Sequence, residues 1–90
     1  MLEYHAAYYQ VEHGWYMAVV LDFPGVLSQG RTLRSARRMV RDALQLMAEW
    51  RIEEGMSLPN PNAKAKSTEG KPAFREKIPL IVKVKAGVVP

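Results

Sequence analysis

Leu21-Asp22-Phe23-Pro24-Gly25-Val26-Leu27-Ser28-Gln29-Gly30-Arg31-Thr32 is the stretch on which the fold turns. Pro24 cannot donate a ladder hydrogen bond and Gly25 tolerates positive φ, so a strand arriving from the N-terminal side must break here. Val26 to Gln29 then forms a short second run, and Gly30 loosens the chain again. Thr32 can accept an orphan amide hydrogen bond of a first helical turn, which makes it the N-cap of a helix beginning at Leu33. Strand, Pro-Gly turn, short strand, glycine and capped helix therefore succeed one another within a dozen residues.

Upstream, residues 3–12 and 15–22 are rich in β-branched and aromatic residues and read as two strands. Between them, His13-Gly14 suits a two-residue type I′ turn, in which both central residues need positive φ. That turn would set Val11 opposite Tyr16 and His5 opposite Asp22. One face of the hairpin would hold His5, Ala7, Tyr9, Val11, Tyr16, Ala18, Val20 and Asp22. The other would hold Tyr4, Ala6, Tyr8, Gln10, Met17, Val19, Leu21 and Phe23. Both faces are largely apolar, unlike a hairpin with one wet face. We place the Ala7/Ala18 face under the helix, because small residues let a helix approach closely. Tyr4, Tyr8 and Met17 are then expected on a face covered by a partner or a second subunit.

Downstream, Leu33, Ala36, Val40, Ala43, Leu44 and Met47 recur at spacings of three and four, predicting a helix over 33–54. Met39, Leu46 and Trp50 widen its apolar stripe on one side, and Gly55 suits its C-terminal end. Arg34, Arg37, Arg38 and Arg41 crowd the first half, while Glu49, Glu53 and Glu54 sit in the last turns. The helix dipole favours the opposite arrangement. Arg34, Arg38 and Arg41 share one outward stripe, which reads either as a solvated face with a local Arg38–Asp42 pair or as a surface for an acidic or phosphate-bearing partner. Residues 56–77 have loop composition and read as a partly mobile linker. Residues 78–85 return to strand pattern, with Lys83 and Lys85 suited to a guarded edge.

Ninety residues allow one domain, here 1–90, with a small core that oligomerisation would extend. The 48% hydrophobic content argues for a globular fold. There is no cysteine, which excludes disulfides, thiol chemistry and Cys-based zinc sites. No apolar run is long enough to span a membrane and no secretory pattern opens the chain, so a cytoplasmic protein is expected. The formal charge of +4 permits nucleic-acid binding without demanding it. No Gly-rich phosphate loop is present. A His5–Asp22 pair without a Ser nucleophile or further ligands makes neither a hydrolase nor a metal site. Neither catalysis, nor a cofactor, nor a metal is expected.

A tyrosine-containing strand, an Asp-x-Pro-Gly turn, a small residue, a Gly, a Thr and an Ala-rich helix occur in order here. They are Tyr16, Ala18, Asp22, Pro24, Gly25, Ser28, Gly30, Thr32 and Ala36. With Gly55-Met56-Ser57-Leu58-Pro59 closing the helix, this set resembles the HicB family of antitoxins over roughly residues 4–60. The resemblance implies an α+β fold, a β-β-β-α-β unit of partial ribonuclease H type. A three-stranded antiparallel sheet, one long helix on one face and a C-terminal strand would compose it. It makes Asp22, Pro24, Gly25, Gly30 and Thr32 the structural motif. It also implies binding of a HicA-type toxin, a small basic RNA-cleaving protein. The family usually has Glu three residues after the Thr, completing a capping box; Ser35 stands there, so a reciprocal cap is not expected. Typical members add a C-terminal DNA-binding domain, which this sequence, ending after one strand, is not expected to supply.

These readings support two functions. One is an antitoxin-type protein-interaction module, itself a homo-oligomer, either a dimer or a tetramer. The other is a small nucleic-acid-binding regulator that uses the stripe of Arg34, Arg38 and Arg41.

Overall fold

The computed structural model describes residues 2–67 and 69–81. Strand β1 (Leu2–Gln10) is succeeded by β2 (Tyr16–Val20), β3 (Leu27–Gly30), helix α1 (Leu33–Glu53) and β4 (Phe74–Leu80). The strands form one antiparallel sheet in the order β3-β2-β1-β4, and α1 packs on one face. This is the α+β architecture expected. The C-terminal strand starts earlier than its sequence suggests and takes residues 74–77 from the linker. The expected continuation through Lys83 and Lys85 lies outside the described residues.

The hairpin explains the largest departure from expectation. His13 and Gly14 both take positive φ, at 61° and 79°, and the Trp15 amide donates to the Glu12 carbonyl at 3.3 Å. The turn chemistry is therefore as expected. The ladder beyond it is not, because the Val11 amide donates to the Trp15 carbonyl at 2.8 Å. Val11 and Glu12 together oppose Trp15, and the neighbouring pairs run from Gln10 with Tyr16 to Ala6 with Val20. This bulge inserts one residue into β1, and one residue is enough to turn every side chain of that strand to the other face.

Tyr4, Ala6 and Tyr8 consequently share a face with Ala18 and Val20, and that face meets the helix. The helix contributes Ala36, Val40, Leu44 and Ala48, a row at i, i+4 spacing, and β4 adds Ile78 and Leu80. Ala18 lies under the helix as expected, but Ala7 does not. Tyr4 and Tyr8, expected on a partner-facing surface, are fully buried core residues. The Tyr4 and Phe23 rings meet edge to face, 5.2 Å apart at 65°, an arrangement worth about 0.5–1.5 kcal/mol beyond area burial.

The opposite face carries His5, Ala7, Tyr9, Met17 and Val19. Its β1 half is covered by the chain's own linker. The Asn62 amide donates to Asp22 Oδ2 at 2.9 Å, the Tyr9 hydroxyl donates to Ser67 Oγ, and Arg75 Nη2 donates to the Ala63 carbonyl at 2.8 Å. His5, Ala7 and Tyr9 are buried, whereas Met17 and Val19 are half-buried. Part of the cover assigned to a second subunit is thus supplied within the chain.

The Pro-Gly turn is built as its residues dictate. The Phe23 amide reaches the Val20 carbonyl, the Val26 amide reaches the Phe23 carbonyl, and Gly25 takes φ 87°. At Gly30 a Cβ would lie 2.3 Å from Ser35 Oγ and 2.4 Å from the Ala36 nitrogen, so only glycine lets β3 run this close to the helix start. Thr32 caps α1, accepting from the Ser35 amide at 3.0 Å. The reciprocal bond, not expected from Ser35, is present: the Thr32 amide donates to Ser35 Oγ at 3.1 Å. The short Ser hydroxyl reaches because it lies directly beside the cap, where Glu would span a longer arc.

Candidate partner-binding surfaces

Helix α1 divides the molecule into two sides. Over β4 its flank is cationic. Arg37 is held by Glu76 through two parallel bonds, Nε to Oε2 and Nη2 to Oε1, each 2.9 Å. Arg41 Nη2 approaches the same Oε1 at 3.4 Å, and the buried Tyr8 hydroxyl donates to Oε2 at 2.6 Å. Further along, Gln45 Nε2 donates to the Ile81 carbonyl at 2.6 Å. Burial alone would raise the Glu76 carboxyl, but the hydrogen bonds from Arg37 and Tyr8 and the charges of Arg37 and Arg41 outweigh it and hold it below its ordinary value. Burial foremost, then the bond to Glu76 and its charge, pushes the Tyr8 phenol up.

The expected arginine stripe therefore divides. Arg41 is drawn to Glu76, while Arg34 and Arg38 remain exposed. The Arg38–Asp42 pair does not form among the described residues. Glu76 was hidden by its sequence context, since an acidic residue at an inward strand position reads as loop. The alternation of Phe74, Glu76, Ile78 and Leu80 against Arg75, Lys77 and Pro79 was the signal that could have found it.

Over β3 the flank of α1 is apolar. Between helix and strand runs a groove of about 550 Å³ lined by Gly25, Val26, Leu27, Ala43, Leu46, Met47 and Trp50. Leu46 is 70% exposed and Trp50 48%. Leu27, 61% exposed, pairs with Val19 and shares the face away from the helix with it and with Met17. Apolar surface thus wraps around this edge of the sheet, and Met17, expected to face a partner, lies beside it.

At the end of the hairpin away from its turn, Asp22 forms a clamp. Asp22, buried, accepts from the His5 amide at 2.8 Å and from the Asn62 amide at 2.9 Å, and its Oδ2 lies 2.7 Å from His5 Nδ1. The bulge makes Leu21, not Asp22, the cross-strand neighbour of His5, yet Asp22 reaches back from the next position. One carboxylate thereby joins β1, the end of β2 and the linker. Among the described residues no group of three His, Asp or Glu side chains could hold a metal ion. The site's chemistry is tethering.

The family model of the HicB-like antitoxin of bacterial toxin-antitoxin systems matches residues 4–89. The chain belongs to the HicB-like antitoxin family. Solved structures agree with this. The chain is 25% identical to the N-terminal domain of the Burkholderia pseudomallei antitoxin HicB, covering 90% of this chain and all of that domain, with a TM-score of 0.69. Against the B. pseudomallei HicB antitoxin the identity is 27% and the TM-score 0.62; the match covers 93% of this chain and 65% of the other. A HicA3 and HicB3 toxin-antitoxin complex contains a chain of the same fold, 21% identical over 70% of this chain and 72% of that one, with a TM-score of 0.59. No curated protein matches the sequence. Within this HicB-like fold, the quoted motif residues Asp22, Gly25, Gly30 and Thr32 serve the architecture, at the clamp, the turn, the strand–helix contact and the cap.

Proposed function

We propose that this HicB-like chain is an antitoxin-type interaction module that binds and neutralises a small HicA-type RNA-cleaving toxin in the cytoplasm, with no catalysis of its own. The observation that carries the reading is the family match over residues 4–89, and a relative of the same fold is known in a complex of HicA3 with HicB3. The surface supports it. Apolar side chains at Leu27, Leu46 and Trp50 stand in solvent beside a strand edge unpaired among the described residues, as on a protein that works by association, self-association included. The cationic flank is poorly matched to a basic toxin, so we assign toxin contact to surface outside Arg34, Arg38 and Arg41. In this reading the chain also self-associates, as a dimer or a dimer of dimers.

Co-expression with the small protein encoded beside its gene tests the proposal. The expected result is a stoichiometric complex and relief of the growth arrest that the small protein causes alone. Absence of both complex and relief would contradict it.

A second reading, nucleic-acid binding through the stripe, draws on the exposure of Arg34 and Arg38. It requires a steep fall of affinity with salt, with a slope of about −0.9 per B-DNA phosphate contact. Arg34→Gln with Arg38→Gln should then flatten that slope by about two such contacts.

A further inference from the structure

We infer that the β3 side is where a second copy of this chain docks, with β3 pairing antiparallel to its own image so that two four-stranded sheets join. The inference rests on the self-association just proposed and goes beyond it by naming the surface. Among the described residues the outer edge of β3 pairs with no strand. The Val20 amide donates to the Val26 carbonyl at 2.9 Å, which starts an alternation along the β2–β3 ladder. Ser28 and Gly30 then face β2, while the N–H and C=O groups of Leu27 and Gln29 point away from the sheet. Leu27 to Gly30 contains no charge and no proline, the usual guards of an edge. The other edge, β4, carries Arg75, Lys77 and Pro79.

Charge favours this face over the others for self-docking. A two-fold contact sets one patch against the same patch of the other copy, and only side chains near the axis meet their own images. A patch whose charges share one sign therefore repels itself. The cationic flank would set Arg34 and Arg38 against a second set of cations, and the β4 edge would do the same with Arg75 and Lys77. The residues lining the β3 groove carry no charge at all. Trp and Met are also enriched at interfaces, and homodimer interfaces are more apolar than others. Four residues of β3 supply only a short ladder, and a specific interface buries about 1,600 Å² in total. The exposed Leu46 and Trp50 beside the seam supply the apolar area that the strand lacks.

Sedimentation of the intact chain at micromolar concentration, wild type against Leu46→Glu, tests this. Leu46 is so exposed in the single chain that the substitution should leave the circular dichroism spectrum and melting temperature of the monomer unchanged. The expected result is a wild-type dimer and a Leu46→Glu dissociation constant raised at least about a hundredfold, because the seam would hold unpaired like charges. Arg38→Glu, on the other flank, should leave the dimer intact. A monomeric wild type, or a Leu46→Glu chain that dimerises normally, would overturn the inference. Toxin capture is measured in parallel. If Leu46→Glu abolishes capture but not dimerisation, the groove is the toxin's and the inference fails while the antitoxin reading stands. If the dimer is lost as expected and no toxin binds even the wild type, the inference stands and the antitoxin reading fails.

Discussion

The two sides of helix α1 differ in how they end. Over β4 the flank is closed by bonds between named partners: Arg37 and Arg41 to Glu76, Tyr8 to Glu76, and Gln45 to the Ile81 carbonyl. Over β3 the flank stops at exposed apolar side chains, and among the described residues the strand below has an unpaired outer edge. Both sides belong to one amphipathic helix, and its buried row of Ala36, Val40, Leu44 and Ala48 lies between them. The difference teaches where charge holds the structure together. The cations that oppose the helix dipole are partly offset by a carboxylate from β4, whereas the groove over β3 is lined by uncharged residues.

Substitutions sharpen this contrast. The largest effect is expected from the shared row. Leu44→Ala should cost about 2–5 kcal/mol, against a change within about 0.5 kcal/mol for Leu46→Ala two positions on, both read by denaturant unfolding of the monomer. Equal losses would mean that the β3 flank is not open. Gly30→Ala comes next, at about 3 kcal/mol, since its Cβ would press on backbone at Ala36. Gly25→Ala, where φ is positive but space is free, should cost about 1 kcal/mol.

On the closed side, Glu76→Gln should cost about 1.5 kcal/mol through weakened bonds to Arg37 and Tyr8. The Glu76 carboxyl titrates below its ordinary 4.5 in the folded chain. Its contribution is therefore complete above about pH 4.5 and fades as the pH falls through the lower folded value. Acid titration of stability should accordingly be shallower in Glu76→Gln than in the wild type below that pH. The smallest effect is expected from Arg34→Gln with Arg38→Gln. It should be neutral or stabilise by about 0.3–1 kcal/mol, because these cations sit near the N-terminus of α1. Unfolding of that double variant would show the exposed arginines to be structural.

Much of this was legible in the sequence. The break at Pro24-Gly25, the Thr32 cap, the span of α1 and the positive φ of His13 and Gly14 are local properties, and local chemistry determines them. The exchange of faces was not legible. A bulge at Val11-Glu12 leaves no mark in composition, yet it decided that Tyr4 and Tyr8 lie inside and Ala7 under the linker. Glu76 was missed for a related reason. Its inward position makes sense only when Arg37, Arg41 and Tyr8, distant in sequence, are brought to it. The apolar flank was visible as Met39, Leu46 and Trp50 widening the stripe, but only the sheet order shows that an open edge lies beneath it.

Hydrogen exchange of the intact chain at low and high concentration tests the two-sided account most directly. The account predicts that the Leu27 and Gln29 amides gain protection as concentration rises, while the amides of Phe74–Leu80 do not change. Protection gained along β4, or none at β3 while the protein associates, would contradict it.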